Sequence, residues 1–142
     1  MVDRDVVFAK ISSIQRCLKR INDITQGNPA SLENLDVEEI VTLNLQRAIQ
    51  GTIDIAAHVV ADEGFGVPQE LRENFDLLSK NNVITDELTK QLRKIIGFRN
   101  IAVHEYDTIN VEILKSIVRY NLKEIEEFYV SILRYYNLSE DV

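Results

Sequence analysis

The sequence lacks much of what many fold and function classes require. One cysteine, Cys17, excludes an internal disulfide and any C-x-x-C metal or redox motif. With only two histidines, His58 and His104, a zinc site would need carboxylates for most of its ligands. Five glycines and two prolines in 142 residues are too few for an all-β chain rich in tight turns. No apolar run approaches the ~20 residues of a membrane span. The charged start Met1-Val2-Asp3-Arg4-Asp5 does not read as a signal peptide, so a cytoplasmic protein is expected. No Gly-rich phosphate loop, G-x-S-x-G elbow or H-E-x-x-H motif occurs, and neither cofactor nor metal is expected.

What is present suits one globular domain over residues 1–142. Hydrophobic residues make up 45% and charged residues 27%, too apolar for a disordered chain. The net charge of −7 is unevenly spread. Residues 1–22 carry net +3 and residues 23–87 net −10, followed by +4 over 88–104 and −4 over 105–142. Overall acidity argues against broad nonspecific nucleic-acid binding, but leaves room for a local phosphate-binding patch.

Apolar residues recur at helical spacing almost throughout. Val7, Ile11, Ile14, Leu18 and Ile21 mark a first helix over about 4–26, ended by Gly27-Asn28-Pro29. Asp36 is a candidate N-cap for a second helix to about residue 61. Its stripe, Val41, Leu45, Ala48, Thr52, Ile55 and Val59, is widened by Ile49, Ile53, Ala56 and Val60, which predicts a central position. Pro68 suits the start of a short third helix to about residue 80, carrying Leu71, Phe75 and Leu78. Thr85 caps a fourth, with Leu88, Leu92, Ile95 and Ile96 inward. Asn110 caps a fifth helix to about residue 136, with Ile113, Ile117, Tyr120, Ile125, Phe128 and Ile132 inward. Five helices with short connections predict an all-α, antiparallel up-and-down bundle.

Arg99 continues the apolar stripe of the fourth helix, where a permanent charge needs a partner or an anionic ligand. A structural salt bridge, or snorkelling at the helix end, would also account for it. His104 follows five residues later, where the helix should end and the dipole favours a cation. Together Arg99-Asn100-Ile101-Ala102-Val103-His104-Glu105-Tyr106 reads R-N-x-x-x-H-x-Y. These groups suit RNA cleavage without a metal. A histidine can take the proton from a ribose 2′-hydroxyl as it attacks the adjacent phosphorus, and a guanidinium can stabilise the charge that builds there. One histidine cannot also protonate the leaving 5′-oxygen unless water or a second subunit helps.

The octet resembles the HEPN superfamily, most closely the HepT toxins of HEPN–MNT toxin–antitoxin pairs. The stretch from Leu45 to His58 also resembles that family's second helix, and the likeness extends over nearly the whole chain. The resemblance implies a HEPN-like fold and a homodimeric, metal-independent endoribonuclease acting as the toxin of a type VII-like system. Two facing copies of the motif would supply the second histidine. Arg99 and His104 match the catalytic pair and Asn100 the polar residue beside the arginine. Tyr106 matches the tyrosine to which an MNT nucleotidyltransferase antitoxin transfers AMP. The competing reading is a noncatalytic helical adaptor that binds the nucleotidyltransferase.

A polar seam runs beside the stripe of the second helix through Arg47, Gln50, Asp54 and His58. Asp54 either faces the dimer cleft and orients Arg99 or His104, or belongs to a hydrogen-bonded seam in which it pairs with His58 four residues on. Cys17 reads as a core or near-core residue, and Tyr120, Tyr129, Tyr135 and Tyr136 as packing residues.

Overall fold

The computed structural model describes residues 4–104 and 110–137, with side chains for 5–100 and 110–137. Six α-helices occur in this span, with no strand among the described residues. Helix α1 is Arg4–Thr25, α2 Leu35–Glu63, α3 Glu73–Lys80, α4 Asp86–His104, α5 Val111–Tyr120 and α6 Leu122–Tyr135. A short 3-10 helix, Pro29–Glu33, joins α1 to α2. No helix among the described residues is long and apolar enough to cross a membrane.

The central place predicted for α2 holds. Every residue of its double stripe is buried, and α1, α3, α4 and α6 all pack against it. The α1–α2 pair is antiparallel and close. A Cβ on Gly51 would lie 2.9 Å from Ile14 Cγ1, so glycine is what lets the two backbones approach. Phe75 of α3 and Phe128 of α6 close the far side of the core edge to face, with ring centroids 5.6 Å apart.

Local chemistry explains the helix ends. Thr85 Oγ1 accepts from Leu88 N at 3.1 Å, and Asn110 Oδ1 accepts from Glu112 N at 2.8 Å, as the sequence predicts. The cap of α2 is Asn34 rather than Asp36. Its side-chain oxygen accepts from Asp36 N and Val37 N, which leaves Asp36 inside the first turn beside the helix dipole. The third helix starts at Glu73, not Pro68. Glu73 Oε2 instead accepts from Gln69 N at 2.7 Å and holds the preceding segment in a turn.

The expected fifth helix is two. Asn121 interrupts it, and its Nδ2 donates to Glu124 Oε2 at 3.0 Å. Leu114 is the buried residue at the start of α5, while Ile113 and Tyr120 face outward at 47% and 56% exposure. Leu71 is exposed as well, because it precedes the helix in which it was placed.

Candidate active site

The sequence motif places Arg99 and Asn100 one turn or so before α4 ends at His104. The side chain of His104 and the whole of Tyr106 lie outside the described residues. Arg99 is the informative group. Leu92, Ile95, Ile96 and Phe98 on the same helix are buried, and they fix the rotation of α4 about its axis. That rotation sets Arg99 half-buried against α2.

Its guanidinium is held by two amides. Nη2 donates to Gln50 Oε1 at 2.9 Å, and Nη1 donates to Asn100 Oδ1 at 3.2 Å. Among the described residues no carboxylate forms an ion pair with it. The structural salt bridge that could have explained Arg99 is therefore not formed there. The difference matters chemically. A carboxylate would orient the guanidinium and cancel its charge, whereas an amide oxygen orients it and leaves the charge intact. A guanidinium has five N–H donors, and the described residues occupy two of them.

Gln50 is itself oriented. Its Nε2 donates to Asp54 Oδ1 at 2.9 Å. An ionised carboxylate only accepts, so it draws the NH₂ end of the Gln50 amide toward itself and turns the oxygen toward Arg99. The other oxygen of Asp54 receives Lys10 Nζ of α1 at 3.4 Å. The result is one chain of polar contacts, Lys10 to Asp54 to Gln50 to Arg99 to Asn100, across three helices.

Asp54 thus reaches Arg99 through Gln50. The pairing of Asp54 with His58 does not form. His58 Nε2 instead lies 3.8 Å from Asp62 Oδ2, beyond hydrogen-bond reach, and that buried nitrogen has no hydrogen-bond partner among the described residues. Two contributors escaped the sequence reading: Lys10, and the role of Gln50 toward Arg99. The four-residue spacing of Gln50 and Asp54 was the available signal, but the contact to α4 is tertiary and leaves no trace in spacing. Cys17 is buried as expected. Burial pushes its thiol pKa up, against a smaller downward pull from Arg47 and Arg16.

The family model described as ribonuclease HepT-like matches residues 14–132, which include both Asp54 and Arg99. The chain is 39% identical to the mRNA nuclease HepT of Shewanella oneidensis over 87% of its own length and 93% of the relative's. It is 33% identical to the tRNA nuclease HepT of Aphanizomenon flos-aquae over 66% of its length and 62% of that protein's. Among solved structures, tri-AMPylated Shewanella oneidensis HEPN toxin in complex with MNT antitoxin superposes with a TM-score of 0.83. That match has 39% identity and covers 90% of this chain and 96% of that one. Sequence motif, helical architecture and these likenesses agree: the chain belongs to the HepT-like ribonuclease family.

Proposed function

We propose that this chain is the toxin of an HEPN–MNT toxin–antitoxin pair, an endoribonuclease that cleaves RNA by attack of the 2′-hydroxyl on the adjacent phosphorus. The observation that carries the reading is the Arg99 guanidinium, oriented by the neutral amides of Gln50 and Asn100 with no ion pair among the described residues. Such a group binds a phosphodiester in the ground state. It binds the more highly charged phosphorane more strongly, and that difference accelerates the reaction. His104, five residues along the same helix, takes the 2′-hydroxyl proton. Asn100 steadies the arginine. Asp54 is a positioning residue that acts through Gln50.

The acid for the leaving 5′-oxygen comes from the second His104 of a homodimer. A twofold dimer brings two identical patches together without further coding. Each copy contributes the net +4 of residues 88–104 to the shared cleft, a local field that attracts RNA to an otherwise acidic protein. This chemistry asks for no metal.

Tyr106 is the site of control. Its phenol oxygen attacks the α-phosphorus of ATP on the MNT partner, loses its proton and displaces pyrophosphate. The product carries a negative phosphodiester and a bulky base two residues from His104, which repel and obstruct RNA. The tri-AMPylated state of the Shewanella relative supports this reading.

The test is cleavage of RNA by the purified protein in the presence of EDTA. Arg99→Ala and His104→Ala are each expected to abolish it with the helical circular dichroism unchanged, and the products should carry a 2′,3′-cyclic phosphate or its hydrolysis product. Parent-like cleavage by either variant refutes the assignment, and strict magnesium dependence refutes the metal-free route.

A further inference from the structure

A second cationic feature lies away from Arg99. An open groove of about 610 Å³ runs between α1 and α2. Arg16 and Arg20 line it from α1, Arg47 from α2, with Ser13, Asn44 and Leu43 between them. All three arginines are exposed, and none forms an ion pair among the described residues. What sets these three apart is that they line one groove together. Three guanidiniums lining one concave strip repel one another, a cost that an anion would relieve.

The groove and the polar chain behind Arg99 lie on the same edge of the α1–α2 pair. Arg47 and Asp54 are seven residues apart on α2, and Cys17 and Lys10 are seven apart on α1, so each pair shares a helix edge. Lys10 meets Asp54, and the Cys17 thiol in the groove wall lies within the field of Arg47 and Arg16. One edge of the helix pair therefore carries both features. Gln50, which holds Arg99, is one turn from Arg47, about 4.5 Å along the axis. Arg16 and Arg20 are likewise about 6 Å apart along α1.

We infer that the α1–α2 groove is a single-stranded RNA track, in which Arg47, Arg16 and Arg20 receive successive phosphates of the strand whose scissile phosphate sits at Arg99. This rests on the ribonuclease reading and extends it to the surface that binds RNA away from the cleaved bond. Arginine suits the task because its fork bonds two phosphate oxygens and its plane can stack on an unpaired base. Ser13 and Asn44 add polar groups for phosphate and ribose, and the half-exposed Leu43 offers an apolar rest for a base. The net +3 of residues 1–22 had no evident use in the sequence alone. The groove supplies one.

The experiment uses the full chain carrying His104→Ala, so that RNA is bound without being cut. Fluorescence anisotropy of a labelled unstructured RNA is followed across a salt titration, with and without the triple change Arg16→Gln, Arg20→Gln and Arg47→Gln. The triple variant should bind about tenfold or more weakly at physiological salt. Its log–log salt slope should shrink by about 2, roughly 0.7 for each phosphate that is no longer neutralised. Circular dichroism should be unchanged, since all three side chains are exposed. Equal affinity and slope overturn the track. So does a triple variant that keeps its RNA affinity but no longer captures a co-expressed MNT antitoxin, which would assign the groove to the protein partner. A histidine variant that binds no RNA overturns it as well. If the parent fails to cut RNA but the triple change still weakens binding, the ribonuclease reading falls and the track stands.

Discussion

The chain of polar groups behind Arg99 makes a quantitative prediction. If Asp54 matters only because it turns the Gln50 amide, the two residues act in series and their substitutions cannot be additive. Gln50→Ala removes the hydrogen bond that holds the Arg99 guanidinium, 2.9 Å long and partly exposed. Bonds to charged groups are worth about 1.5–3 kcal/mol, and exposure puts this one near the lower end. At about 1.4 kcal/mol per decade, the cleavage step should slow by about tenfold. Asp54→Ala leaves Gln50 in place but frees it to rotate, and a loss of about 1 kcal/mol corresponds to about fivefold. Independent effects would multiply to about fiftyfold in the double variant, whereas series action leaves it near the tenfold of Gln50→Ala alone. The assay is single-turnover cleavage of one RNA by the four proteins, with enzyme in excess. Denaturant unfolding runs alongside, because loss of the Lys10–Asp54 pair, with both side chains 39% exposed, should cost under about 1 kcal/mol. If Asp54→Ala slows the Gln50→Ala protein as much as it slows the parent, Asp54 does not work through Gln50.

Tyr106→Phe should keep RNA cleavage but resist inactivation by an MNT partner and ATP, with mass spectrometry finding no AMP-unit additions on the peptide containing residue 106. Toxin that is neutralised while that peptide stays unmodified in the parent would refute the covalent switch. Gly51→Ala and Gly97→Ala should move stability in opposite directions. The first meets Ile14 Cγ1 at 2.9 Å and should cost about 1–3 kcal/mol from crowding, while the second meets nothing within 4 Å and should gain up to about 1 kcal/mol of helix propensity. Thermal unfolding reads both, and equal shifts of one sign would show that the close approach of α1 and α2 is not what requires Gly51. Stability should fall as pH rises from about 9. Burial raises the pKa of Cys17, Tyr129 and Tyr136, whose ordinary values are 9.0, 10.0 and 10.0, so the unfolded chain loses those protons first. The stabilisation is complete below these ordinary values and is lost as pH climbs through the raised ones. A melting temperature that stays flat from pH 8 to 11 would contradict this.

Helices and core were legible where local chemistry and burial agree. α2 declares itself because two adjoining stripes of Val, Ile, Leu and Ala make one broad apolar face that is buried along its length, and α4 because Thr85 caps a regular apolar run. The break at Asn121 was not legible by periodicity. Leu114, Ile117, Ile125 and Phe128 keep helical spacing across it, so the pattern runs through an interruption made by one residue's backbone. Cap choice was decided by a two-residue difference between Asn34 and Asp36, both of which have the right side chain. At the site, Arg99 and Asn100 stood out because a permanent charge on an apolar stripe conflicts with its surroundings. The groups that resolve the conflict, Gln50 and through it Asp54, are 49 and 45 positions earlier in the chain. Only folding brings them near.

The amide clamp on Arg99 also has a thermodynamic side. A half-buried cation oriented by neutral amides, with no ion pair among the described residues, is desolvated at a cost that an anionic ligand would offset. Evolution would find an easy route to a sturdier bundle at this position. Leucine in place of Arg99 would extend the stripe of Leu88, Leu92 and Ile95 by one more turn, giving a chain that melts higher and cuts nothing. An arginine standing there against that gradient holds the molecule below the stability its own core could reach.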